Sequence, residues 1–259
     1  MTAFRIIIAA YKCGPWVERC IASVREQRHG DWTAILIDDQ SPDDTYERAV
    51  AAAGGDERIR VERSPERRLS LWNTKVMIET IATDPEDVVV TLDGDDWFAH
   101  GGVLDVLERE YQDPNLWLTY GSHRRWKNKL AHKLGWKVKR GIAREIPEEI
   151  ARGGWFRQFE FVSSHLRSFK RFLWDQIKDE DLRDEDGAYW QAAPDHAFMF
   201  PLLEMAGADR IKYLDEMLYV YNNSNPLSEH RSIPVDQLVA ACKMRAMAPY
   251  PLLTDKPDA

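Results

Sequence analysis

Carboxylates recur in this sequence at places where they can meet. Asp38-Asp39 follows the apolar run Thr33–Ile37, and Asp93-Gly94-Asp95-Asp96 follows Asp87–Leu92. A third apolar run, Arg5–Ala10, closes on Ala10-Tyr11. If these runs are parallel strands, their carboxyl ends share one sheet edge, which is where open parallel sheets bind ligands. Carboxylates gathered there repel one another unless a cation or hydrogen-bond donors offset the charge. A divalent metal with oxygen ligands, Mg²⁺ or Mn²⁺, is the natural partner. Gly94 permits a sharp turn, so that Asp93 and Asp95 can face one site.

The elements that must position these groups alternate in the first half of the chain. Arg5–Ala10 reads as a strand buried on both faces. Pro15 suits a first helical position, and Trp16, Val17, Cys20, Ile21 and Val24 follow at helical spacing. Thr33–Ile37 is a second strand, and Ser41-Pro42 is expected to cap a helix to about Ala52, stopped by Gly54-Gly55. Arg58–Glu62, Ser70–Ala82 and Asp87–Leu92 continue as strand, helix and strand. This order predicts a parallel sheet with helices on both faces. Further on, Gly102–Tyr111, Pro194–Ala206 and Val235–Ala248 read as helices, with strands at Leu116–Tyr120, Ile211–Leu214 and Met217–Tyr221. Pro249–Ala259 reads as a loose tail.

Composition bounds the answer. The chain has 259 residues, of which 44% are hydrophobic and 30% charged, enough for one sizeable core. No apolar run approaches the ~20 residues of a membrane span, and Phe4–Ala10 is too short for a secretory signal. The three cysteines, Cys13, Cys20 and Cys242, form no CxxC pair, which argues against a disulfide scaffold or structural zinc and points to a reducing cytoplasm. A net charge of −8 disfavours nucleic acid as a partner. Locally the charge is uneven: His123–Arg144 carries nine Lys or Arg and no acid, whereas Asp175–Asp186 carries seven acids.

Three ordered motifs, IIIAAY, LIDDQSPDDT and VVVTLDGDDW, resemble the family 2 glycosyltransferases of GT-A fold. The resemblance is strong over 4–102 and resumes at Ala193–Gly207 (APDHAFMFPLLEMAG) and Tyr219–Glu229 (YVYNNSNPLSE). It implies an α/β, Rossmann-like, mostly parallel sheet flanked by helices, in one domain over 1–259. Within it, 1–102 is the nucleotide-sugar half, 103–248 a smaller acceptor-side half and 249–259 a C-terminal tail. It further implies an inverting transfer from a nucleotide diphosphosugar, a UDP-sugar favoured, with Mn²⁺ or Mg²⁺ on the leaving diphosphate.

By the same resemblance, Tyr11 and Asp39 hold the nucleotide base beside Ala10. Asp93 contacts the ribose or diphosphate around Gly94, and Asp95 is the metal ligand, with Asp96 beside it. The family's Ala-Arg-Asn element falls at Leu71-Trp72-Asn73, so Asn73 is retained and the arginine is missing; Arg68 or Lys75 is the substitute cation. The acidic pair that carries the family's base falls on Asp195-His196. Asp195 is the expected base and His196 the alternative, since an imidazole also suits that work. His230 matches a late histidine that serves as a further metal ligand.

Plainer readings stand beside these. Asp39 can cap a helix, Asp195 can be a helix N-terminal charge, and Tyr11 can be packing. His196 and His230 can be structural or solvated. Tyr189 and Trp190 can stack on an acceptor sugar or belong to the core. The basic stretch 123–144, with Trp126 and Trp136 among its cations, is either a solvated face or a contact for an anionic acceptor or the inner face of a membrane. The acceptor is a glycan, a glycolipid or a protein. Two other functions compete: a degenerate fold that binds sugar nucleotide without turnover, and a haloacid-dehalogenase-type phosphatase. The phosphatase is disfavoured because Trp97 stands where Thr or Val belongs and three strands precede the motif. A dehydrogenase is excluded by the lack of GxGxxG after the first strand.

Overall fold

The computed structural model describes residues 1–126, 140–225 and 234–257. Its centre is an eight-stranded sheet in the order β3-β2-β1-β4-β7-β6-β8-β5. β1 (Phe4–Ala10), β2 (Trp32–Asp38), β3 (Ile59–Arg63) and β4 (Val88–Asp93) pair in parallel. β7 (Arg167–Lys170) adds antiparallel to β4 and carries β6 (Leu118–Trp126) on its other side. β8 (Ile211–Asn222) runs parallel to β6, and the short β5 (Trp97–Phe98) closes the edge.

Alternation along the central strands explains why both faces are covered. Ile7, Ile35, Ile37 and Val89 enter one core, with α3 (Leu69–Ile81) and α7 (Pro194–Ala206). Ile6, Ile8, Ala34, Leu36, Val88 and Val90 enter the other, with α1 (Val17–Arg25), α2 (Thr45–Ala53) and α4 (Val103–Glu110). A strand buried on both sides has no polar phase, hence the continuous apolar runs. Short helices α5 (Glu148–Arg152) and α6 (Arg171–Asp175) flank β7 in sequence, and α8 (Pro234–Ala246) packs on α7.

Three expectations change, and one strand is new. Ser41 does not cap α2; its hydroxyl accepts the Lys12 N–H at 2.9 Å and so fixes the loop after β1. Ile211–Leu214 and Met217–Tyr221 are one strand, β8, whose pairing with β6 shifts register around Ser122, and that irregularity broke the pattern. Arg167–Lys170 is a strand that no apolar run announces. The tail is docked through Lys256, not loose. The Leu253 N–H donates to Met205 O at 3.0 Å, and Tyr250 bonds Asp181 and the Lys178 N–H.

Behind that docking lies a buried ion pair. Arg157 donates Nε to Glu204 Oε1 at 2.6 Å and Nη2 to Oε2 at 3.0 Å, with both side chains nearly sealed from solvent. Arg157 also donates Nη1 to Met244 O on α8, and the Tyr250 N–H donates to Glu204 Oε2. Among the described residues, no helix is long and apolar enough to cross a membrane. Cys13, Cys20 and Cys242 are free thiols.

Candidate active site

The chain leaves β1, passes to β2 and β3 on one side, then returns to place β4 on the other. The crevice between the ends of β1 and β4 is therefore a topological switch point. Ala10-Tyr11 and Asp93-Gly94-Asp95 meet there. Gly94 is required by contact rather than by a special φ: an added Cβ would lie 2.8 Å from Ala10 Cβ and 3.1 Å from its Cα. Ala10 itself is buried and accepts the Asp39 N–H at 2.8 Å.

The acidic loop after β2 builds one wall. Thr45 Oγ1 accepts the Cys13 N–H at 2.8 Å and, with Ser41, shapes the turn that carries Tyr11. Arg67, which sequence reasoning passed over, lays its guanidinium 4.2 Å from the Tyr11 ring centroid. Asp39 is buried, and its two carboxylate oxygens accept the N–H groups of Arg68 (2.8 Å) and Leu69 (2.9 Å) where α3 begins. It thus holds the start of α3, not of α2, and each oxygen retains a second lone pair for a ligand.

The acids after β4 divide into two roles. Asp95 accepts Asn225 Nδ2 at 2.7 Å, and burial raises its pKa. Asp93 remains half-exposed beside the Tyr219 hydroxyl. Asp96 is turned inward. It accepts the Asn222 N–H and the Tyr219 hydroxyl, both at 2.6 Å, and ties the turn to β8. Burial, then the neighbouring Asp95 and Asp93, push its pKa well above the carboxylate range. Asp96 thus ties the turn to β8 from beside Asp95.

Hard oxygen donors under mutual repulsion are the donor set a divalent cation relieves. Among the described residues, no group of three or more His, Cys, Asp or Glu closes around such an ion. The chain offers an open carboxylate set, of the kind Mg²⁺ or Mn²⁺ completes with phosphate oxygens. His230 and positions 127–139 lie outside the described residues.

Asn73, on α3, is 1% exposed, and neither its amide N nor its amide O has a partner among the described residues. Buried polar atoms are rarely left so, and a bound polar ligand is one way to satisfy them. The two substitute cations are already engaged by acids: Arg68 by Glu66, Lys75 by Glu79 and Asp179.

Asp195 opens α7 after Ala193, which takes a left-handed conformation (φ 51°), and Pro194. Its Oδ2 accepts Arg167 Nη2 at 2.5 Å. His196 stacks on Phe161 at 3.9 Å, edge-on to Phe200, and burial pushes its pKa down to about 4. Trp190 is a core residue whose indole N–H has no partner among the described residues. Tyr189 is taken up by Asp179 and Arg183. Trp190 thus belongs to the core, whereas the Tyr189 ring is partly exposed with the Arg183 guanidinium 4.0 Å from its centroid. Lys12, Gln40, Leu69 and Ala193 are the non-glycine residues with positive φ among those described, and each lies in a loop or helix start around this crevice. Such clustering is typical of functional rims.

A mostly parallel α/β sheet with an acid-lined switch point defines an α/β class whose ligands bind at the carboxyl ends of the strands, and comparison narrows it. The sequence model of glycosyl transferase family 2 matches residues 5–177, more than half of the chain, and the protein belongs to that family. It is 27% identical over 227 residues to the uncharacterized glycosyltransferase EpsJ of Bacillus subtilis (strain 168), covering 86% of this chain and 62% of that one. The fold is similar to S. aureus TarS 1–349, solved with UDP-GlcNAc, at TM-score 0.65 and 16% identity over 94% of this chain and 65% of that one. It is also similar to the mannosyltransferase PcManGT of Pyrobaculum calidifontis, solved with GDP-Man and Mn²⁺. There the TM-score is 0.60 at 15% identity, covering 95% of this chain and 65% of that one. The chain thus spans less than two thirds of each of these relatives.

Proposed function

We propose that this protein is an inverting glycosyltransferase that moves a sugar from a nucleotide diphosphosugar to an acceptor hydroxyl. The observation that carries the reading is the family match over 5–177, which contains Asp39, Asp93 and Asp95 at one sheet edge. The base stacks near Tyr11 and bonds Asp39, and the Asn73 amide supplies donor contacts. Asp93 contacts the ribose or diphosphate, and Asp95 would hold Mn²⁺ or Mg²⁺, which would supply positive charge to the leaving diphosphate. The structures solved with UDP-GlcNAc and with GDP-Man and Mn²⁺ support a nucleotide-sugar donor and a divalent ion.

Asp195 takes the acceptor's hydroxyl proton as that oxygen bonds to the anomeric carbon. The carbon–oxygen bond to the diphosphate breaks, its electron pair leaving with the diphosphate, and the anomeric centre inverts. Asp195 is favoured over His196 because it is solvent-accessible, whereas the imidazole is packed between aromatic rings. On the acceptor side, the basic stretch 123–144 supports an anionic acceptor or membrane face. Calorimetric titration of UDP, with GDP and dTDP alongside, in Mn²⁺ and in EDTA, tests the reading. One nucleotide, UDP by preference, should bind with metal and lose at least about tenfold in affinity in EDTA or in Asp95→Ala. No binding of any nucleotide in Mn²⁺ would overturn it. Binding without release of nucleotide from any donor would instead favour the degenerate binding module.

A further inference from the structure

Arg167 is a buried cation at the start of β7, and each of its three nitrogens is engaged. Nε donates to Ser163 O at 3.0 Å, Nη1 faces His165 Nδ1 at 3.3 Å, and Nη2 donates to Asp195 Oδ2 at 2.5 Å. A guanidinium only donates, so the contact with His165 requires Nδ1 as acceptor and places the ring hydrogen on Nε2. That Nε2 lies 4.0 Å from Asp93 Oδ2. The His165 ring stacks on Tyr219 at 4.6 Å, whose hydroxyl bonds Asp96. A continuous run of side chains, Asp93, His165, Arg167 and Asp195, thus joins the donor-side carboxylates to the head of α7.

We propose that Arg167 is the positioning residue of the catalytic base: it holds Asp195 by Oδ2, leaving Oδ1 to take the acceptor's proton, and is itself aimed by Ser163 O and His165. This rests on the reading of Asp195 as the base of a glycosyltransferase. The left-handed Ala193 and Pro194 set where α7 begins, and the ion pair to β7 sets where its first carboxylate stands. A carboxylate held this way loses little orientation entropy when the acceptor arrives. The pair also keeps a buried guanidinium from standing uncompensated.

The test uses the full chain with Mn²⁺ and follows nucleotide release from UDP-GlcNAc and from GDP-mannose, with water as acceptor. Nucleotide affinity is measured separately by calorimetry. Arg167→Met should lower the release rate at least tenfold while donor KM and nucleotide affinity stay within twofold. Arg167→Lys, which keeps a charge that can reach Asp195, should recover a large part of the rate. In an Asp195→Asn background, Arg167→Met should cause no further fall, because both changes remove the same interaction. An unchanged rate in Arg167→Met, a raised donor KM at unchanged rate, or multiplicative losses in the double variant would each overturn the inference. Wild-type protein that binds no nucleotide would overturn the glycosyltransferase reading beneath it. Binding retained with a rate indifferent to Arg167 would overturn the positioning role alone.

Discussion

Asp195 and His196 are neighbours in one helical turn with opposite surroundings. The carboxylate meets a cation and solvent; the imidazole meets two phenyl rings. A histidine held near pKa 4 stays neutral in the folded protein while the unfolded chain titrates near 6.5. Between those values the unfolded state binds a proton that the folded state refuses. Stability therefore rises with pH across that window and is lost as pH falls from about 6.5 toward 4. His123, also pushed down to about 4 by burial, acts with the same sign. His196→Phe keeps the stack on Phe161 and removes one of the buried-histidine contributions, which His165 also supplies. Its urea midpoints at pH 7 and pH 5 should lie closer together than those of the wild type. Nucleotide release in His196→Phe should stay within about threefold of wild type, whereas Asp195→Asn should lose about 100-fold or more. Equal losses in the two would move the proton transfer to the imidazole.

At the scale of elements, α3 poses a second test. Asn73→Leu replaces an amide with no described partner by an apolar group of similar size. Such a swap should stabilise the nucleotide-free protein by about 1 kcal/mol, read from urea unfolding, because a desolvated polar group is removed. The same change should weaken UDP binding by about tenfold, read by calorimetry. Stabilisation without any loss of affinity would remove Asn73 from the donor site.

The elements differ in how plainly the sequence announced them. β1, β2 and β4 were legible to within a residue or so because strands buried on both faces leave no ambiguity of phase, and α7 because Pro194 and Gly207 bound it. The acids at the strand ends were legible for the same reason, since a parallel sheet collects them. β7 was not. Its four residues, RSFK, carry charges at both ends, and they are buried only because Arg167 meets Asp195 and Lys170 meets Glu86. His165 and Arg167 are legible only through partners distant in the chain. Arg67 was hidden because its partner, the Tyr11 ring, is brought to it by the Ser41 and Thr45 hydroxyls.

Over the whole molecule, the Arg157–Glu204 pair joins α7, α8 and the tail. A buried pair adds little net stability against a well-packed apolar substitute, but losing one member leaves an uncompensated charge. Glu204→Met should therefore cost about 3–5 kcal/mol in urea unfolding, and Arg157→Met a similar amount, with the double variant recovering most of the loss. Near-additive losses in the double variant would mean that the two side chains matter through packing, each on its own. Limited proteolysis should cut the chain after Tyr250 sooner in the single variants, since Tyr250 N–H bonds Glu204.

The four left-handed residues around the crevice carry a consequence for how this protein responds to selection. Lys12, Gln40, Leu69 and Ala193 each hold a conformation that glycine would adopt more easily, at a cost of about 1 kcal/mol or more apiece. Heat adaptation acting on this chain would find its easiest gains at those positions. The same positions set the course of the loop after β1, the acidic loop, the start of α3 and the head of α7. A lineage moving to hotter surroundings would thus meet its gains in thermal endurance and its losses in turnover at the same codons, and improvement would have to be sought elsewhere in the chain.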